Sequence, residues 1–153
     1  MAPTCSARPA EMGLRKEEVE RLKSEYPSLR VLALSPADPL APVVAVSVTI
    51  FGIRGMSSRH RARYELILET TSLPSAIPQV WVKYPRDRDI KHVNIWPAKE
   101  SFCRWAGTDL PSFCWHEYRK EWLNASPSWR TLSAALEYTK QFLSTENHDS
   151  AAR

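Results

Sequence analysis

Three side chains in one short stretch carry the chemistry of this chain. His92-Val93-Asn94 is followed by eight residues and then by Cys103. A cysteine is an acyl-accepting nucleophile, and an asparagine amide can donate to the oxyanion that develops when a thiolate attacks a carbonyl. The histidine of such a triplet serves to fix the loop that carries the other two. Arg104 and Lys99 flank the cysteine in sequence and would favour its thiolate if they approach it in space. A second reading makes Cys103 a buried core residue, as cysteine often is. Cys114 is the competing nucleophile. It sits in Phe113-Cys114-Trp115, an apolar setting expected to favour core packing, and it is far from Asn94 in sequence.

Other chemistries fit less well. His92, Cys103, Cys114 and His116 are four candidate zinc ligands, but their spacings of eleven, eleven and two residues contain no C-x-x-C pair. No metal and no cofactor is expected. The chain has four glycines and no glycine-rich phosphate loop, so any acyl group it handles must be activated elsewhere. Arg54, Arg59, His60, Arg61 and Arg63 cluster around one predicted hairpin loop. They suit either a solvated tip, an acidic partner surface or nucleic-acid phosphates, with nucleic acid the least favoured.

These residues need a scaffold, and 153 residues with 43% hydrophobic content supply one ordinary domain with a real core. The net charge of +4 permits acidic partners without demanding them. Three sparse cysteines imply no disulfide framework, and a reducing cytoplasm is their expected setting. No signal peptide is expected at Met1–Ala10. The longest apolar run, Val43–Ile53, is too short and too interrupted to span a membrane.

Residues 1–10 and 144–153 read as flexible tails around a domain at 11–143. A charged helix is expected from about Glu11 to Glu25, ended by Pro27, with Met12, Val19, Leu22 and Tyr26 on one face. After a proline-punctuated connection come three strands at Val43–Ile53, Ala62–Thr70 and Gln79–Tyr84, the first two forming a hairpin. From Pro85 to about Pro127 periodicity is lost, and this long segment reads as a functional loop region with short helical turns. Leu132, Ala135, Leu136, Thr139, Phe142 and Leu143 then fall at helical spacing, with Thr131 as N-cap. The fold class is α+β, with helices on one face of an antiparallel sheet.

In order and spacing, these pieces resemble the ubiquitin-conjugating enzyme family over roughly residues 11–143. The first helix is similar to that family's N-terminal helix. Tyr64-Glu65-Leu66-Ile67-Leu68, Pro74, Pro78 and Val80-Trp81-Val82 are similar to its second and third strands with their intervening prolines. His92-Val93-Asn94 resembles the His-Pro-Asn signature, and Cys103, nine residues after Asn94, stands close to the place of the thioester cysteine. Trp122, Ser126-Pro127 and Thr131-Leu132 resemble the tryptophan, the Ser-Pro pair and the helix start that come next in the family. Val93 in place of the central proline, the long gap before the closing helix and the chain's stop after it are departures, and they resemble the compact bacterial relatives. Some of those are encoded in antiphage (CBASS-type) defence operons beside a cGAS-like nucleotidyltransferase.

The resemblance implies a ubiquitin-conjugating-like transferase. Cys103 would carry a ubiquitin-like protein, or the C-terminus of such a nucleotidyltransferase, as a thioester. A separate activating enzyme would supply it, and a lysine of a target protein would receive it. Asn94 would steady the oxyanion or the loop, and His92 would be structural. The family also contains inactive variants that only bind their partners, and that reading keeps the fold without the chemistry. Trp81, Trp96, Trp105, Trp115, Trp122 and Trp129 are expected to build packing, with an exposed one or two able to anchor a partner.

Overall fold

The computed structural model describes residues 14–35, 42–55 and 58–153, without the side chains of Ser58 and Arg59. The expected loose N-terminus, and Met12 on the first helix, lie outside these residues. Helix α1 (Lys16–Leu22) leads to four strands in antiparallel succession: β1 (Arg30–Leu34), β2 (Val43–Gly55), β3 (Ser58–Glu69) and β4 (Gln79–Tyr84). Two-residue strands come next at β5 (Ile95–Trp96), β6 (Phe102–Cys103), β7 (Thr108–Asp109) and β8 (Ser112–Phe113). Helices α2 (Glu117–Asn124) and α3 (Leu132–Ser144) close the order. The main sheet runs β1-β2-β3-β4-β8-β5, and β6 pairs only with β7.

This is a mixed α+β fold on an antiparallel sheet, as the patterning predicts. The expected hairpin and third strand are present, the latter with its expected bounds. Strand β1 is an addition to the expected elements, because Arg30–Leu34 is short and lies against a proline-rich connection. The long 85–127 segment is not a loop. It holds four short strands and α2, whose sequence lacks an apolar stripe and buries only Trp122 fully.

The sheet's two faces differ, and the difference decides where the site can be. Leu66 and Leu68 on β3, with Val82 and Val80 opposite them, enter the main core. Ile67 and Trp81, paired with each other, face the other way, as the two-residue period of a strand requires. Helix α3 lies on the core side and buries Leu132, Ala135, Leu136, Thr139, Phe142 and Leu143. Burial of each large apolar side chain stabilises by roughly 1.5–3 kcal/mol. Its N-cap is Thr131, whose hydroxyl accepts the Ala134 N–H at 3.1 Å. The helix can approach β2 only because position 52 is glycine: a Cβ there would stand 2.6 Å from the Leu143 Cβ.

Phe142 is sandwiched between two rings. Phe113 stacks on it at 3.9 Å and His92 at 5.3 Å, both within 7° of parallel, and Trp115 meets it edge-on at 5.4 Å. The indole N–H groups of Trp115 and Trp122 donate to the Pro78 and Pro74 carbonyls at 2.8 and 3.1 Å. Arg130 covers the end of α2 by donating to the carbonyls of Trp122, Leu123 and Ala125. These contacts lock the β8–α2 segment onto the sheet.

The segment after α3, expected to be a loose tail, folds back across the molecule. Ala152 and Arg153 donate their backbone N–H groups to the Val93 carbonyl at 2.5 and 3.2 Å. The Arg153 guanidinium reaches the Ile95 carbonyl at 2.7 Å and the Asp87 carboxylate. Among the described residues, no helix is long and apolar enough to cross a membrane.

Candidate active site

His92 is fully buried, and both of its ring nitrogens are engaged. Nδ1 accepts the Asn94 backbone N–H at 3.3 Å, so Nε2 carries the proton and donates to the Phe142 carbonyl at 2.9 Å. Burial pushes the ring below the ordinary histidine range, against the opposing pull of Glu146 and of the Phe142 and Thr145 carbonyls. Glu146 Oε2 lies 4.0 Å from Nδ1, beyond hydrogen-bond reach, while it accepts the Val93 N–H at 2.6 Å. His92 is therefore a neutral structural group, and it ties the 92–94 loop to the end of α3.

Asn94 is held by that loop and spends its amide on the folded-back segment. Nδ2 donates to the Asn147 carbonyl at 2.6 Å and to the Ser150 carbonyl at 3.3 Å. Oδ1 accepts the Asn147 N–H at 2.6 Å.

Cys103 is not beside it. Its side chain is fully buried in the small cluster of Ile67 and Trp81, with Trp105 and Leu110 packed around it. This is the sheet face turned away from α3. Arg104, its neighbour in sequence, lies over the Trp105 ring at 4.2 Å and pairs with Glu69 at 3.5 Å. The structure therefore does not bring Cys103 together with Asn94 and His92: the β6–β7 hairpin carries this cysteine into an apolar cluster, where its side chain is fully buried.

The cysteine that the fold brings to Asn94 is Cys114. Its backbone N–H donates to the Asn94 carbonyl at 2.9 Å. Its thiol points to the Ser150 carbonyl, with Sγ and O 3.7 Å apart. Cys114 is partly exposed and, with Asn94, lines a cavity of about 600 Å³ between α2, the end of α3 and residues 145–150. Burial raises its pKa, but three groups oppose that rise: the Arg119 guanidinium, a hydrogen bond from the Trp96 side chain and one from the His116 backbone. His116 itself has φ of 43°, a conformation costly for a side chain other than glycine. That turn swings the chain from β8 into α2, beside the cavity. Glu117, Glu121, Glu146 and Asp149 line it against Lys120, so its lining is acidic.

Sequence reasoning sets Cys114 aside as core, yet its neighbours hold the signal. Phe113 and Trp115 are both buried, at 4% and 2% exposed. In extended chain, two inward aromatics turn the residue between them outward.

Among the described residues, no group of three or more histidine, cysteine or acidic side chains is placed to hold a metal. Around the basic hairpin, Arg61 lies over Phe51 at 5.0 Å and Arg63 over Tyr84 at 4.6 Å, with Arg63 also 3.4 Å from Glu65. These arginines are engaged with their own sheet surface. No protein-family model, curated protein or solved structure significantly matches the chain.

Proposed function

We propose that this protein is a ubiquitin-conjugating-like acyl transferase whose thioester forms on Cys114. One observation carries the reading. A partly exposed thiol sits in a cavity with a carbonyl oxygen 3.7 Å from its sulfur, and the same oxygen accepts the Asn94 amide at 3.3 Å. The thiol and the Asn94 amide thus converge on one carbonyl group, and an amide donor at the oxygen is what steadies the charge when a thiolate attacks the neighbouring carbon.

In the forward step the Cys114 thiolate attacks the carbonyl of an activated C-terminal acyl group. The C–S bond forms, and the activating group departs with its electron pair. The Asn94 Nδ2–H steadies the oxygen as it gains charge. In the second step an amine attacks the thioester. The C–N bond forms, the thiolate leaves, and the amine's proton passes to solvent. Glu117, Glu121 and Asp149 at the cavity favour the approach of a cationic amine such as a lysine. His92 acts only by fixing the loop.

The donor that suits the family resemblance is a ubiquitin-like protein or a nucleotidyltransferase C-terminus, supplied by a separate activating enzyme in a bacterial antiphage system. Co-expression with the neighbouring genes tests this. A thiol-labile adduct on wild type and Cys103→Ala, absent from Cys114→Ala and discharged by added lysine, supports the proposal. Folded protein that gains no adduct beside an active activating enzyme would leave a non-catalytic binding module of the same fold.

A further inference from the structure

The segment after α3 is bound to the site in the way a peptide substrate would be. Asn94 grips the backbone of Asn147 through both its N–H and its carbonyl, each at 2.6 Å. The Ser150 carbonyl then lies at the Cys114 thiol. Beyond it, Ala152 and Arg153 pair with the Val93 carbonyl, and Arg153 ends against Asp87 and the Ile95 carbonyl. Most of these contacts read peptide backbone, so they do not demand this particular sequence. Asn147, Asp149 and Ser150 line the Cys114 cavity, whereas Ala152 lines a second cleft with Trp96, Phe102 and Lys99. The segment thus crosses the site between two open spaces.

We infer that the cleft under residues 147–153 is the binding site for the donor's C-terminal peptide, and that this chain's own segment occupies it until the donor displaces it. The inference rests on the Cys114 carrier reading and adds where the donor lies. Residues 147–150 stand for the donor's last four residues, with the Ser150 carbonyl at the place of the acyl carbonyl. Residues 151–153 run on the side of the leaving group or incoming amine. The ligand class is a peptide that enters as a single 3-10 turn, as His148–Ser150 does here, and is held chiefly by its backbone. The resident segment is not consumed, because its carbonyl belongs to an unactivated amide.

The test uses Arg153→Ala and Asp87→Ala, which free the far end of the segment without touching Cys114. Alkylation by iodoacetamide is followed by peptide mass spectrometry, with Cys103 in the same molecule as the internal reference. Cys114 should react about tenfold faster in both variants, as local opening becomes easier. The tetrapeptide amide Asn-His-Asp-Ser, at millimolar concentration, should slow Cys114 in those variants again. Equal rates in wild type and both variants overturn the inference. Acceleration without protection by the peptide also overturns it, since the segment would then be a cover and not an occupant of a peptide site. Neither readout requires a thioester. Accelerated and peptide-protected alkylation with no adduct ever formed would therefore sink the carrier reading and leave the binding site standing.

Discussion

Asn94 and Asn147 are joined by a pair of hydrogen bonds in which one side-chain amide satisfies both polar groups of one backbone residue, each at 2.6 Å. This pair sets the path of the chain over Cys114. It also places Asn94 with Cys114 and not with Cys103: its amide points into the cleft beneath residues 147–150, which Cys114 lines and Cys103 does not. Replacing Asn94 by Ala should free this segment and remove the oxyanion donor together. The expected result is faster alkylation of Cys114 but a roughly 10²–10³-fold slower acyl transfer, a divergence that parallel alkylation and single-turnover assays would reveal.

Cys103 should matter for stability alone. Truncation to Ala leaves a small void among Ile67, Trp81, Trp105 and Leu110, and the expected loss is about 1 kcal/mol. Urea denaturation should show a lowered midpoint, with transfer activity per folded molecule unchanged.

The His92 ring gives the fold a pH dependence with a defined sign. Its pKa is below the ordinary value in the folded protein, so the unfolded chain binds more protons between the folded value and about 6.5. Stability therefore rises with pH through that window and is lost as pH falls below about 6.5, by at most roughly 1.4 kcal/mol per pH unit from this group. His92→Gln should lower stability at pH 8 by about 1–3 kcal/mol, through lost stacking on Phe142 and imperfect bonding to its carbonyl. It should also flatten the slope between pH 8 and pH 5 in urea titrations.

Burial raises the pKa of the Cys114 thiol, and Arg119 and Trp96 offset part of that rise. Trp96→Phe keeps an aromatic ring and removes the N–H. The pH profile of Cys114 alkylation should shift to higher pH in this variant and in Arg119→Gln. An unshifted profile would deny these groups their part in limiting that rise.

Gly52 sets the depth at which α3 docks. Gly52→Ala would drive a methyl group into Leu143 and should cost about 1–3 kcal/mol. Because Phe142 and Glu146 hold the 92–94 loop, the same change should slow acyl transfer more than the stability loss explains, as transfer assays at temperatures where the variant stays folded would show.

Much of this architecture is legible in the residues. The β-branched and aromatic run of Gln79–Tyr84 and the 3.6-residue stripe of α3 with its Thr131 cap give those elements directly, the strand burying Val80 and Val82 on one face and Trp81 on the other. The shorter pieces are not, because two-residue strands such as β5 and β8 carry no period; β8 is held by Phe113 packing on Trp115 and Phe142, and β5 by pairing with β8. In α2, Trp122 is the lone fully buried anchor. His92 and Asn94 are legible as a loop-fixing pair. The partner cysteine is not, because sequence spacing favours Cys103 and the β6–β7 hairpin takes up that spacing before the chain returns to Asn94 through Cys114.

Mapping the acyl bond to one of the two sulfurs decides between Cys114 and Cys103. Cys114→Ser, co-expressed with the neighbouring genes, should convert the adduct into a thiol-resistant oxyester that peptide mass spectrometry maps to position 114, while Cys103→Ser keeps a thiol-labile adduct at Cys114. A thiol-resistant ester mapped to position 103 in Cys103→Ser, with Cys114→Ser still carrying a thiol-labile adduct, would place the acyl bond on Cys103 instead.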